Sequence, residues 1–188
     1  INSKRSTALK IASELMLQRD WHITITAGRD EPLQLALQTM AEKSSASVEI
    51  LGWTSRIPEL LMSHHVVISK AGGATTQESI NALCPLIVSQ IVPGQEEGNF
   101  ELINRNEAGA LAETPEAIIA TLQHAVAHDA AQWRRWRSNL KRIAQPAAAR
   151  QIAAIILNQA GFVVPRLTSA PPRAHSGTAK NKNAPVSP

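Results

Sequence analysis

Two polar loops near the middle of the chain carry the residue types best suited to hold an anion and a set of hydroxyls. The first, residues 70–74 (KAGGA), follows the apolar run 66–69 and precedes a helix predicted to begin at Thr75. Glycines such as Gly72 and Gly73 permit positive φ and let a ligand approach the backbone closely. The unpaired N–H groups at the start of a helix, together with its dipole, attract an anion such as phosphate.

The second loop reads PGQEEGN over residues 93–99 and follows the predicted strand 86–89. Pro93 and Gly94 predict a turn. The amides and carboxylates that follow suit the hydroxyls of a polyol or sugar, although Glu96 and Glu97 could instead compensate the dipole of the next helix. A phosphate site beside a loop that binds hydroxyls is the arrangement expected for a nucleotide-sugar.

The first loop leaves several interpretations open. Thr75 and Glu78 form T-x-x-E, a capping box, so Glu78 would either reach back to the cap or bind the two ribose hydroxyls. The pair Gly72 and Gly73 could be a tight turn alone. Lys70 could be a solvated strand end or a counter-charge to phosphate.

Short apolar strands alternate with helices along the first two thirds of the chain. Strands are predicted at 21–26, 48–51, 66–69, 86–89 and 110–111, and helices at 6–18, 32–43, 57–63, 99–106, 115–128, 130–143 and 146–160, besides the helix that begins at Thr75. This order predicts an α/β fold, a Rossmann-like parallel sheet with helices on both faces. Right-handed crossovers would gather the loops 28–30, 52–54, 70–74 and 93–99 at the carboxyl edge of the sheet, where such folds bind ligands.

The two ends of the chain differ from this regular pattern. The first helix requires a preceding strand, of which only Ile1 is present, so the first strand is expected to be largely missing. Residues 1–162 are predicted to form one nucleotide-sugar-binding domain that includes the C-terminal helices. Residues 163–188 lack periodicity and are rich in Pro, Ser, Ala, Asn and Lys, which predicts a disordered tail.

The charge does not indicate a nucleic-acid partner. The formal net charge is +4, but four of the 19 basic residues and none of the 15 acidic residues lie after Phe162, so charges cancel over residues 1–162. The single cysteine, Cys84, favours a reducing, cytoplasmic location and an inert buried thiol. We predict no metal site, because His64 and His65 have no Cys or further His at ligand spacing.

The two loops together resemble a known family. KAGGATTQE followed by PGQEEGN is similar to the C-terminal, donor-binding half of GT-B glycosyltransferases of the MurG and monogalactosyldiacylglycerol synthase group, glycosyltransferase family 28. The PGQEEGN form is closer to the diacylglycerol glycosyltransferase branch. The resemblance covers roughly residues 1–143.

The resemblance assigns site residues. Backbone N–H groups around Gly72, Gly73, Ala74 and Thr75 would hold the donor diphosphate, and Glu78 would bind ribose. Gln95 and Glu96 would contact the sugar, with Asn99 supporting them, and the uracil would lie by Trp53 and Thr54. Trp53 could alternatively be a core aromatic.

The resemblance also implies an activity. The full enzyme would be an inverting hexosyltransferase that moves a hexosyl group from a UDP-sugar to a lipid-type acceptor, without metal or cofactor. The catalytic base and acceptor site would belong to an N-terminal domain absent here, so the chain alone should be inactive. A UDP-sugar epimerase half and a non-catalytic nucleotide-binding module remain alternatives.

A basic segment raises the question of membrane contact. Residues 133–137 alternate tryptophan with arginine, as in segments that lie on an anionic membrane surface. Such tryptophans more often pack against the fold while the arginines remain solvated. The protein is predicted to be cytoplasmic, and membrane contact would make it peripheral on the inner face of the membrane.

Overall fold

Helices and strands alternate as the sequence predicts. A computed structural model describes residues 2–162. The elements are α1 (Asn2–Leu15), β1 (His22–Thr26), α2 (Glu31–Ala41), β2 (Ser47–Leu51), α3 (Ile57–Ser63), β3 (Val67–Lys70), α4 (Gly73–Ala82), β4 (Leu86–Gln90), α5 (Glu97–Arg105), β5 (Gly109–Leu111), α6 (Pro115–Ile143) and α7 (Ala148–Gln159).

The strands pair in parallel, as two sheets. β1 pairs with β2, so that Ile23 lies opposite Val48, and β3, β4 and β5 form a second sheet in that order. The α/β fold class, with parallel strands and intervening helices, is therefore confirmed. Over the described residues, β1 and β3 each have one paired neighbour only.

The core lies on both faces of β4. Leu86 and Val88 belong to one buried cluster with Ile80 of α4 and Ile103 of α5. Ile87, which points to the other face because successive strand side chains alternate, belongs to a second cluster. That cluster contains residues from α1 and from the first part of α6. Helices thus cover the sheet on both faces.

Side-chain caps fix the starts of two helices. Asp30 caps α2 by accepting a hydrogen bond from Leu33 N at 3.1 Å, and Thr114 caps α6 by accepting one from Ala117 N at 3.2 Å. α6 runs without a gap in its residue range, but the backbone leaves the helical region between Ala127 and Ala130. The predicted division into helices 115–128 and 130–143 corresponds to this break.

The chain divides into two compact units, Ile1–Pro146 and Ala147–Pro188. All five described strands lie in the first unit. The described part of the second unit contains α7, whose residues include no buried side chain. The predicted boundary at 162 stays a prediction, and the tail predicted over 163–188 lies outside the described residues. Within the described range, no helix is long and apolar enough to cross a membrane.

Candidate functional site

The start of α4 presents free backbone donors to solvent. The first hydrogen bond of the helix runs from Thr76 N to Gly72 O at 2.9 Å. The N–H groups of Gly73, Ala74 and Thr75 therefore have no intrahelical acceptor. Gly73 and Ala74 are exposed, so these donors and the positive end of the helix dipole are accessible to an anion.

The predicted capping box is wrong. α4 begins at Gly73 rather than Thr75, and its N-cap is Gly72, without a side-chain hydrogen bond. Thr75 is therefore the third residue of the helix and Glu78 the sixth, which is too far along for Glu78 to reach back to the cap. Glu78 is exposed on the helix surface.

The glycine pair does not need positive φ. Gly72 has φ −67° and ψ 140°, and Gly73 is not among the glycines with positive φ. A Cβ at Gly72 would lie 3.5 Å from Lys70 Nζ, and one at Gly73 would lie 3.7 Å from Asn99 Nδ2, both ordinary contact distances. The positive φ that these glycines permit is therefore not used here. Because glycine has no side chain, the two glycines leave the backbone N–H groups at the start of α4 accessible to a ligand.

The second loop turns at Pro93 and Gly94, as predicted. Gly94 has φ +77°, a conformation that glycine adopts at little cost. Its N–H donates to Glu97 Oε1 at 2.5 Å, and this hydrogen bond lowers the pKa of Glu97. Glu97 thus stabilises the turn from the first residue of α5.

Glu96 is a buried carboxylate at the junction of the two loops. Its residue is 4% exposed. Oε1 accepts a hydrogen bond from Lys70 Nζ, and Oε2 accepts one from Val92 N at 3.0 Å. The ion pair with Lys70 is the main reason why the pKa of Glu96 lies below its ordinary value. Lys70 is thus bound to a protein carboxylate, while its side chain remains 57% exposed.

A second contact joins the same loops. Asn99 Nδ2, in the first turn of α5, donates to Ala71 O at 2.9 Å. Ala71 is fully buried and its N–H donates to Gln90 O at 3.0 Å. The glycine loop and the PGQEEGN loop therefore lie side by side at the carboxyl ends of β3 and β4. By contrast, Gln95 is exposed, and its side chain makes no hydrogen bond within the described residues.

The residues predicted to receive a base lie on the other sheet. Trp53 follows β2 and is 66% exposed, so the interpretation of Trp53 as a core aromatic is wrong. The guanidinium Cζ of Arg29 lies 5.7 Å from the centre of the Trp53 ring. Thr54 Oγ1 accepts a hydrogen bond from Arg56 N at 3.1 Å. Over residues 2–162, no hydrogen bond or ring contact links Trp53 or Thr54 with the two loops described above.

Sequence reasoning missed two partners. It did not predict the pairing of Lys70 with Glu96, nor the position of Arg29 over Trp53. Both pairs join loops that follow different strands. The prediction that these loops converge at one edge was the signal that could have identified them.

The basic segment of α6 packs against the fold through its tryptophans. Trp136 is 4% exposed, and Trp133 Nε1 donates to His65 O at 2.8 Å. Arg137 lies over the Trp133 ring, with Cζ 5.3 Å from its centre. The packed interpretation is confirmed for these two tryptophans, and membrane contact stays a prediction.

No cluster of three or more His, Cys, Asp or Glu residues that could hold a metal occurs within the part of the chain that the structure describes. The expectation that the protein needs no metal or cofactor stays a prediction.

The chain itself is similar to proteins of a known family. Residues 3–152 match the family described as glycosyltransferase family 28 C-terminal domain. A processive diacylglycerol beta-glucosyltransferase of Staphylococcus carnosus (strain TM300) is 33% identical over 116 residues, which are 58% of this chain and 29% of the relative. A probable chloroplastic monogalactosyldiacylglycerol synthase 2 of Oryza sativa subsp. indica is 27% identical over 146 residues, 76% of this chain and 31% of the relative.

A solved structure has the same fold. The crystal structure of Acinetobacter baumannii MurG is similar with a TM-score of 0.64 and 15% identity, over 81% of this chain and 46% of that chain. This chain spans about a third of the length of the two curated relatives named above.

Proposed function

This chain belongs to the family of glycosyltransferase family 28 C-terminal domains, and from that premise we propose that it is the donor-binding half of an inverting glycosyltransferase that uses a UDP-hexose. The observation that carries this proposal is the junction of the two loops. Gly73 at the start of α4 lies beside Asn99 of the second loop, since a Cβ on Gly73 would be 3.7 Å from Asn99 Nδ2. A diphosphate at the helix start would therefore place its sugar next to the PGQEEGN loop.

The diphosphate would be held by backbone donors. The N–H groups of Gly73, Ala74 and Thr75 have no intrahelical acceptor, and the helix dipole favours negative charge there. The same donors would stabilise the charge that develops on the departing UDP, which is electrostatic catalysis by preorganised dipoles.

The hexose and ribose would be bound by side chains. Gln95, whose amide is exposed, is the best placed to contact hexose hydroxyls directly. Glu96 would contact the hexose through Oε1, the oxygen that accepts the hydrogen bond from Lys70. Asn99 would keep the two loops together through its hydrogen bond to Ala71 O. Glu78 would bind the ribose hydroxyls from the exposed face of α4.

The uracil would bind at the exposed loop after β2. Trp53 offers a ring face of which Arg29 covers part, and Thr54 lies beside it. Both residues follow β2, which belongs to the other sheet.

The acceptor and the reaction of the whole protein are inferred from the relatives. Their names describe transfer to or synthesis of diacylglycerol glycolipids. We therefore propose a lipid-type acceptor and a peripheral, cytoplasmic location at a membrane surface. The acceptor site and the catalytic base would lie outside this chain, so this chain alone should bind UDP weakly and transfer no sugar.

Isothermal titration of the chain with UDP, GDP, ADP, UDP-glucose and UDP-galactose tests donor binding. We expect UDP and the UDP-hexoses to bind more tightly than the purine nucleotides. Equal affinity for all five ligands would instead support a general nucleotide-binding module.

Two variants of Gly73 test the diphosphate site. Gly73→Pro removes one N–H at the first helical position, where proline is tolerated, and the extended backbone of Gly72 suits a following proline. Gly73→Ala keeps that N–H and is the matched control. Because a hydrogen bond to a charged group is worth about 1.5–3 kcal/mol, Gly73→Pro should weaken UDP binding about tenfold or more. Equal affinity of both variants would refute this site.

A second pair of variants tests the sugar loop. Gln95→Ala should weaken UDP-glucose binding and leave UDP binding unchanged, because only the hexose would contact this amide. Gln123→Ala, on the exposed surface of α6, is the control and should change neither. Loss of UDP affinity in Gln95→Ala would place this residue elsewhere in the donor site.

A further inference from the structure

Gln34 lies against the loop that follows β2. It is in the first turns of α2, where its backbone N–H donates to Asp30 O at 2.9 Å. Gly52 is the first residue after β2, and a Cβ there would lie 2.7 Å from Gln34 Oε1 and 3.5 Å from Gln34 Nε2. The carboxamide of Gln34 therefore occupies the space that the absent side chain of Gly52 leaves open.

This carboxamide is available to a ligand. Gln34 is half-buried, and its side chain makes no hydrogen bond within residues 2–162. A carboxamide has one carbonyl acceptor and one NH₂ donor group side by side. A polar ligand that meets both groups would satisfy hydrogen-bonding capacity that the described residues leave unused.

An aromatic ring follows directly in the same loop. Trp53 comes next after Gly52 and is largely exposed. Arg29 lies over its ring, and a cation in that position attracts the ring electrostatically. Asp30, the neighbour of Arg29, accepts a hydrogen bond from Arg5 at 2.7 Å, which holds the loop that carries Arg29. An amide edge and an aromatic face thus lie one residue apart at the carboxyl ends of β1 and β2.

A flat heterocycle with an imide edge fits these two groups. Its face would stack on the indole of Trp53, as nucleic-acid bases stack on aromatic side chains. Its imide N–H would donate to Gln34 Oε1, and the adjacent carbonyl oxygen would accept from Gln34 Nε2. Uracil has this edge, and its ring is small enough to bridge two neighbouring residues of one loop.

We propose that Gln34 binds the imide edge of the donor's uracil and is thereby a base-recognition residue of the donor site. This inference rests on the proposed use of a UDP-sugar. It adds a side chain of α2 to a base site that the sequence placed in the loop after β2 alone. Because a carboxamide can turn by half a rotation and pair with cytosine as well, the test alters the edge of the uracil rather than exchanging the base.

Binding of UDP and of UDP methylated at the imide nitrogen, N3-methyl-UDP, tests this residue in the whole chain. The methyl group replaces the proton that Oε1 would accept and leaves the ribose and the diphosphate unchanged. Gln34→Ala is compared with Gln38→Ala, a matched control that removes the same side chain at an exposed position one turn further along α2. Isothermal titration gives the dissociation constants, and circular dichroism checks that each variant is folded.

We expect the parent chain and Gln38→Ala to bind UDP about tenfold more tightly than N3-methyl-UDP, because a bidentate contact between an amide and a base gives discrimination of this order. Gln34→Ala should lose most of this preference. Its affinity for UDP should fall about tenfold, whereas its affinity for N3-methyl-UDP should change little.

Gly52→Ala tests the position of the carboxamide without removing it. A Cβ 2.7 Å from Gln34 Oε1 would displace the carboxamide, and Gly52 is not among the glycines with positive φ, so alanine suits its backbone. Gly52→Ala should therefore weaken UDP binding as Gln34→Ala does. In the double variant the two losses should not add, because both act through the same amide.

Three results would overturn this inference while UDP binding, and with it the proposed function, stands. They are a parent chain that binds UDP and N3-methyl-UDP equally, a Gln34→Ala variant that keeps the preference for UDP, and additive losses in the double variant. A parent chain that binds neither nucleotide would refute the proposed function and this inference together.

Discussion

The hydrogen bond from Asn99 to Ala71 connects the two loops of the candidate site, and its removal should be measurable. Asn99→Ala deletes the donor at 2.9 Å and leaves the carbonyl of a fully buried residue without its side-chain partner. A lost hydrogen bond costs about 0.5–1.5 kcal/mol, and an unsatisfied buried acceptor about 1–3 kcal/mol. Because Asn99 itself is only half-buried, water reaches part of this site, and we expect a loss of about 1–2 kcal/mol.

Urea denaturation followed by circular dichroism measures this loss. Asn104→Ala is the matched control, since Asn104 lies in the same helix, is exposed, and has no side-chain hydrogen bond within the described residues. The control should change the free energy of unfolding by less than about 0.5 kcal/mol. Subtracting the change in free energy of unfolding of Asn104→Ala from that of Asn99→Ala also removes most of the effect of the difference in helix propensity between asparagine and alanine.

The same variant has a functional consequence. If Asn99 keeps the sugar loop beside the start of α4, Asn99→Ala should weaken UDP-glucose binding more than UDP binding. A variant whose stability matches that of Asn104→Ala would refute the energetic reasoning. A variant that is destabilised but binds UDP-glucose normally would show that the contact serves folding alone.

Three further predictions concern a buried carboxylate, a closely packed glycine and a buried thiol. The ion pair with Lys70 lowers the pKa of Glu96 in the folded protein, so the pair stabilises the fold above the unfolded-state pKa of Glu96, and this stabilisation is lost as pH falls through the folded-state pKa. Glu96→Gln should therefore flatten the acid side of a plot of the urea midpoint against pH, and an unchanged slope would contradict this. A Cβ at Gly109 would lie 2.0 Å from Leu86 O, so Gly109→Ala should lower the free energy of unfolding by about 3 kcal/mol or more, as measured by urea denaturation. A decrease below about 1 kcal/mol would contradict this close packing. Burial raises the pKa of the Cys84 thiol to about 12. At pH 8, iodoacetamide should therefore label Cys84 about 1,000-fold more slowly in the folded protein than in the protein unfolded by urea, and a folded-state rate within tenfold of the unfolded-state rate would contradict the burial of this thiol.

Element types were predictable because they depend on local patterns. Within residues 2–162, the β-branched runs and the apolar spacing identified each strand and helix to within a few residues, and Ile57–Ser63 was predicted with its observed bounds. The turn at Gly94 was predicted from Pro-Gly alone, since its conformation depends on neighbouring residues. The rule that strand-to-helix loops share one edge was enough to predict that the two polar loops meet.

The start of α4 shows where local patterns mislead. The T-x-x-E motif predicted a cap at Thr75, but the chain enters the helix two residues earlier, at Gly73. Gly72 is extended where the buried Ala71 accepts the hydrogen bond from Asn99. The backbone just before the helix start is thus held by a contact 28 residues away in sequence, which no local motif contains.

The sequence by itself determined the alternation of elements, the polar character of the loops and the family. Only the tertiary structure decided that the Glu96 carboxylate is buried against Lys70, that Trp53 is exposed beside Arg29, and that an apolar cleft lies between β1 and β3. The physical reason is that element type follows from interactions among residues a few positions apart. Burial and pairing depend instead on which surfaces meet when segments 20 to 30 residues apart pack together.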